Sequence, residues 1–279
     1  MKKPTIVMQT DFGINWGVVA TMHGVCKRVD ADLEICDATH LLPQFDTKAA
    51  SYCLQYMIPY WPEGTIFVSV VDPGVGTDRK ASVAKTKNGY YIVTPDNGTL
   101  TYIKEMYGIE EIREIDESVN RYPGNQNVDT FHGRDIFAYC AAKLAAGKIT
   151  FEEVGKAYPV EEIVVHELIK AEVRDSYAKG IISGGGESFG NCETNIENVE
   201  FEDAGFKQGD IVKVEIKDGE NIIFNENVLY HKSFGHVEIG KPVIFNDLGS
   251  FISIGLNQKS FATKYGITSE KTYDIIICK

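Results

Sequence analysis

The run Thr65-Ile-Phe-Val-Ser-Val-Val71 constrains this chain most. It is short, apolar and rich in β-branched residues, which marks a strand buried in a core. The segments around it supply the cover. Pro4–Met8 and Leu33–Cys36 read as further strands, and Val18–Val29 carries apolar residues at helical spacing. Thr47–Ile58 repeats the helical pattern until Pro59 and Pro62 end it. Ala81–Lys85 and Tyr90–Val93 read as a hairpin turned at Asn88-Gly89, and Leu100–Met106 and Asp135–Ala146 as helices. Such alternation predicts an α/β domain over residues 1–160. Its central sheet is parallel or mixed, expected to be mostly parallel, with helices on both faces.

From about residue 170 the texture changes to strands and turns, among them DIVKVEIKDGENIIF with a hairpin signal at Asp218-Gly219. A smaller all-β domain is expected over 175–279. Residues 161–174 form a packed linker between the two.

Composition narrows the function classes. The chain has 279 residues, 43% hydrophobic and 24% charged, as in a globular protein able to bury a core without staples. A net charge of −12 disfavours nucleic acid and anionic membranes as main partners. No apolar run approaches the ~18 residues of a membrane span. In MKKPTIVMQT the apolar run meets Asp11 at once, so no secretory signal is read there, and a cytoplasmic location is expected. The six cysteines, at 26, 36, 53, 140, 192 and 278, form no Cys-x-x-Cys pair and read as free thiols.

In α/β sheets, ligands bind beyond the carboxyl ends of the strands. Three polar, glycine-bearing segments fall at such positions: Thr10-Asp-Phe-Gly13, Asp72-Pro-Gly-Val-Gly-Thr-Asp-Arg79 and Thr94-Pro-Asp-Asn-Gly98. A fourth, Phe131-His-Gly-Arg-Asp135, opens a helix. Taken singly, each also reads as a turn or a helix cap. Their joint placement in one domain points to a site.

These segments resemble the S-adenosylmethionine (SAM) hydrolase, or SAM hydroxide adenosyltransferase, family, relatives of fluorinase and chlorinase. The matching stretches are TDFG at 10–13, VVDPGVGTDR at 70–79, TPDNG at 94–98, TFHGRDIFA at 130–138 and SFGNCETNI at 188–196. The resemblance implies that Asp72, Arg79 and His132 direct a water at the ribose C5′ of SAM, releasing adenosine and methionine. No cofactor or metal is implied. A sulfonium leaves as a neutral thioether, so the reaction needs no general acid. A carboxylate or imidazole can accept the water's proton, and a guanidinium can stabilise developing hydroxide. The halogenating relatives lack the Asp and His at these positions, which favours hydroxide over halide. For the substrate, the resemblance implies Asp11 on the ribose hydroxyls, Phe45 near the adenosine, Asn191 on the adenine edge and backbone near Asn257 and Gln258. It also implies a homotrimer with the site between subunits, the β-rich domain contributing to adenine binding.

The amino-acid end departs from that pattern. Trp16 stands where relatives carry an Asp that holds the methionine amino group. Glu187 stands for an expected Asp, and Leu248 interrupts the small residues of NDLGS. Two other readings therefore compete: a non-catalytic adenosine- or SAM-binding protein, and a hydrolase of another 5′-substituted adenosine. A metal site from Asp11, Asp72, Asp96 and His132 has no local ligand pair to support it.

Overall fold

The computed structural model describes residues 3–124, 129–185, 189–247, 250–268 and 271–279. The chain divides into two compact units, 1–166 and 167–279.

The first unit is built on one sheet. Its strands are β1 (Ile6–Thr10), β2 (Ile35–Thr39), β3 (Ile66–Val70), β4 (Ala81–Thr86), β5 (Tyr91–Pro95), β6 (Ile109–Glu114) and β7 (Ala157–Tyr158). They lie in the order β2-β1-β3-β5-β4-β6-β7. β2, β1, β3 and β5 are mutually parallel, while β4, β6 and β7 are added antiparallel. The sheet is therefore mixed, not mostly parallel. The cause is the Asn88-Gly89 turn: Gly89 has a φ of +86°, and the chain doubles straight back, pairing Lys85 with Tyr91. A tight hairpin can only make an antiparallel neighbour.

The helices are α1 (Val18–Val29), α2 (Thr47–Met57), α3 (Thr101–Met106), α4 (Glu117–Asn120) and α5 (Tyr139–Ala145). Alternate residues of the central strands point to opposite faces. Ile6, Met8, Ile66 and Val68 pack with Met22 and Cys26 of α1 and with Phe137. Val7, Phe67 and Ile92 pack with Leu54 of α2 and Ile103 of α3. Both faces are dry, which is why Thr65–Val71 shows no polar alternation. The helix expected over 135–146 begins instead with a π-helical segment, Gly133–Ala138, that runs into α5.

The second unit contains β8 (Glu172–Arg174), β9 (Tyr177–Gly185), β10 (Cys192–Glu197), β11 (Ile211–Asp218), β12 (Asn221–Tyr230), β13 (Pro242–Asn246), β14 (Phe251–Leu256) and β15 (Tyr273–Cys278). The order is β10-β14-β13-β12-β11-β15-β9-β8, and β10 also pairs with β9. That last pairing closes the sheet into a barrel and leaves the three-residue β8 as a short edge strand. Two short helices, α6 (Asn198–Asp203) and α7 (Phe261–Tyr265), accompany the strands, so this unit is β-dominated but not purely β. Its core includes the stacked rings of Phe201 and Phe206, 3.9 Å between centroids.

All six cysteines are unbridged. Burial pushes the thiols of Cys26, Cys140 and Cys192 up to about 12, so they stay protonated and inert. Among the described residues, no helix is long and apolar enough to cross a membrane.

Candidate active site

Because β1, β3 and β5 are adjacent and parallel, their carboxyl ends lie side by side. The three polar segments following them therefore emerge on one edge, where α/β sheets hold ligands.

The loop after β3 carries Asp72 and folds back to bring Arg79 onto it. Val75 donates its N–H to the Asp72 carbonyl, and the Thr77 hydroxyl and N–H both donate to the Gly74 carbonyl. Gly76 takes a φ of +76°, a left-handed conformation that a side chain would strain. Arg79 Nε then lies 2.9 and 3.1 Å from the two Asp72 oxygens, and its Nη2 donates to Oδ2. The two side chains are only 5% and 10% exposed. The guanidinium also stands over the Phe137 ring, 5.2 Å from its centroid.

The same Arg79 Nη2 lies 2.8 Å from Nδ1 of His132, which is buried at the head of the π-helical segment. A guanidinium can only donate, so Nδ1 accepts, and the proton of the neutral ring sits on Nε2. Burial, and after it the Arg79 charge, holds the imidazole below its ordinary value, favouring that neutral form. Nε2 is buried without a hydrogen-bond partner among the described residues. The structure thus brings Asp72, Arg79 and His132 into one hydrogen-bonded chain ending in a free imidazole N–H.

Asp11 reaches the same neighbourhood through its own neighbours. Phe12 packs edge-on against Phe131, with centroids 5.5 Å apart. A Cβ on Gly133 would lie 2.8 Å from the Phe12 ring, so only glycine lets the two segments approach so closely. Asp11 Oδ2 accepts the Phe45 N–H at 3.0 Å, tying the loop after β1 to the loop before α2. Phe45 itself is 68% exposed with a φ of +66°. It is thus not a core residue, and its ring is presented to solvent beside Asp11.

The third segment works differently. Asp96 accepts from the Tyr158 hydroxyl at 2.9 Å and from the Val164 N–H at 3.0 Å, and burial raises its pKa. Asn97 Nδ2 donates to the carbonyl of Val71, the residue just before Asp72. TPDNG is therefore a brace for the Asp72 loop. Among the described residues no group of three or more His, Cys, Asp or Glu side chains is arranged to hold a metal ion. Arg134 and Asp135 form a two-bond pair at 2.7 and 2.8 Å, with Asp135 fully buried, and support the start of the His132 segment.

Sequence reasoning missed a buried histidine beside the Asp11 loop. His40 Nδ1 lies 2.8 Å from the Thr10 hydroxyl, and its Nε2 is 3.0 Å from Asp37. Thr10 Oγ1 in turn accepts the Phe12 N–H. The only sequence signal was a lone histidine after a strand.

In the second unit, Asn191 places its side-chain oxygen over Gly255 of β14, leaving no room there for a Cβ. Phe234, also unflagged by the sequence, packs on the same glycine. Two residues on, Asn257 donates its side-chain amide to Val237 O at 2.7 Å, its backbone N–H donates to Lys241 O and its carbonyl accepts the Gly240 N–H. Gln258 follows with a φ of +55°. Asn191, Asn257 and Gln258 thus share one end of the barrel. Glu187 and Leu248 lie outside the described residues.

Comparison with known proteins gives a consistent result. A family model described as SAM hydroxide adenosyltransferase N-terminal domain matches residues 6–155, and its C-terminal counterpart matches 187–273. A protein of Methanocaldococcus jannaschii named (R)-S-adenosyl-L-methionine hydrolase is 37% identical over 76% of this chain and 73% of its own. One of the same name from Thermus thermophilus is 30% identical over 92% of this chain and 94% of its own. A crystal structure of an uncharacterized conserved protein from Thermotoga maritima superposes with a TM-score of 0.90. It is 34% identical and covers 99% of this chain and 100% of its own.

Proposed function

The chain belongs to the SAM hydroxide adenosyltransferase family, and on that premise we propose that it hydrolyses S-adenosyl-L-methionine to adenosine and L-methionine. The observation that carries this is the chain Asp72–Arg79–His132, ending in an unpartnered N–H.

The arrangement distributes the work on water. Arg79 consumes the Nδ1 lone pair of His132, so the neutral ring offers Nε2–H as a donor to the water oxygen. Of the two candidate proton acceptors, that leaves the carboxylate of Asp72, whose oxygens retain lone pairs beyond those facing Arg79. The guanidinium keeps the carboxylate fixed and stabilises charge developing on the water. The water oxygen attacks C5′ opposite sulfur. The C5′–S bond breaks with its electron pair going to sulfur, and methionine leaves as a neutral thioether. Substrate charge is lost in the transition state, so a site shielded from water favours the step. A carboxylate and an imidazole N–H suit water better than halide, which the Asp72 charge would repel.

In this reading Asp11 binds the ribose hydroxyls and Phe45 lies along the adenosine. Asn191, with the backbone near Asn257 and Gln258, reads the adenine edge from a neighbouring copy. Association into a homotrimer would cover apolar side chains left exposed on each unit, including Tyr60 on the first and Phe189 and Ile239 on the second. The unbridged cysteines support a cytoplasmic location.

The test is direct. Purified protein with SAM in ¹⁸O-labelled water is expected to release methionine and adenosine bearing one ¹⁸O at the 5′ position, read by mass spectrometry. Binding of SAM without turnover would establish the non-catalytic reading instead. The pH profile follows from His132. Its lowered pKa keeps the ring neutral through neutral pH, and protonation would place a donor against the Arg79 donor. Activity is expected to hold steady down through the ordinary histidine value of about 6.5 and to fall only below it. A His132-dependent loss already present at pH 7 would contradict this geometry.

A further inference from the structure

The rim beside Asp11 has a chemistry that the hydrolase mechanism does not use. Trp16 is 97% exposed, and its φ of +65° lies in the left-handed region that favours glycine. It sits between Gly13 and Gly17, which are also left-handed, in the loop that begins at Asp11. A bulky aromatic held in such a conformation with almost no contacts adds little to the fold, and strain of this kind concentrates at ligand sites. Ile14 (74%), Leu41 (66%) and Phe45 (68%) are exposed on the same two loops.

The two rim segments, Phe12–Val18 and Leu41–Phe45, carry no acidic side chain of their own. The flanking carboxylates each have a backbone partner: Asp11 accepts from Phe45 N and Asp46 from Ala49 N. Within these two segments a free α-ammonium group finds no carboxylate. A sulfonium with its alkyl groups would find aromatic faces and apolar surface, which bind soft, weakly hydrated cations well.

Resting on the hydrolase reading, we propose that Trp16 is a specificity-determining residue that recognises the 5′ sulfonium by its charge and alkyl bulk. The enzyme therefore also hydrolyses 5′-sulfonium adenosines lacking the amino acid. For the dimethylsulfonium analogue the step balances as for SAM. Water oxygen bonds to C5′, the C5′–S electron pair goes to sulfur, dimethyl sulfide leaves neutral, and one proton passes to solvent.

The experiment compares SAM with 5′-deoxy-5′-(dimethylsulfonio)adenosine as substrates of the full-length protein, measuring adenosine. Wild type is expected to turn over both, with kcat/KM within about tenfold. Trp16→Ala is expected to raise KM for both by about three- to thirtyfold, the size of a cation–π contact, with kcat little changed. Trp16→Phe keeps an aromatic face and should restore most of the affinity. Trp16 and Trp61 are the two tryptophans of the chain, so substrate quenching of emission that Trp16→Phe abolishes reports contact with this indole independently of turnover. Hydrolysis of SAM but not of the analogue, or an unchanged KM in Trp16→Ala, overturns the proposal while leaving the hydrolase reading intact. Failure to hydrolyse either compound overturns the hydrolase reading, and this proposal with it.

Discussion

Replacing Asp72 by Asn is expected to lower kcat for adenosine release by about a thousandfold, within the range for loss of a positioned proton acceptor. KM for SAM should change little if Asp72 acts on the water, as proposed, and not on the adenosyl group. Asn matches the shape of Asp and keeps one acceptor oxygen, so the variant isolates the charge. It also removes the anion that orients Arg79, whose other bond fixes the His132 ring. A steady-state comparison of the two proteins, with binding of SAM measured separately, checks the expectation. A kcat within tenfold of wild type would show that water is activated elsewhere.

Much of this site was legible because it is written in local motifs. Asp72 and Arg79 fall in one loop after the most apolar strand, and a turn rich in glycine must close on itself. His132 was visible as a polar residue opening a helical pattern. What could not be read was longer in range. The hairpin at Asn88-Gly89 was evident, yet its consequence for the sheet was not, because sheet order depends on which strand β5 chooses as neighbour. The barrel closure of β9 on β10 rests on pairings such as Cys192 with Gly185, which periodicity does not reveal. TPDNG resembled a chemical segment, but Asp96 and Asn97 are bound to Tyr158, Val164 and Val71. Only the position of those distant partners distinguishes a brace from a catalytic carboxylate. Phe45 was equally ambiguous. An aromatic residue in sequence is core by default, and its left-handed backbone and exposure appear only in three dimensions.

The Asp72–Arg79 pair makes a second expectation about stability. Arg79→Met leaves a 5%-exposed carboxylate without its counter-charge. Breaking a buried pair from one side costs about 3–5 kcal/mol. In a unit of this size that corresponds to a drop in Tm of roughly 6–20 °C. Adding Asp72→Asn to Arg79→Met removes the stranded charge, and the double variant is expected to recover most of that stability while remaining inactive. The sign follows from desolvation: a paired carboxylate and guanidinium offset each other's burial, one alone does not, and two neutral side chains need no offset. Thermal unfolding of wild type, both single variants and the double variant forms the cycle. If the two single losses simply add, Asp72 and Arg79 are not coupled, and the site cannot depend on the guanidinium to hold its carboxylate. A double variant as stable as wild type yet inactive would show that the pair adds nothing net to the fold and is kept for its chemistry.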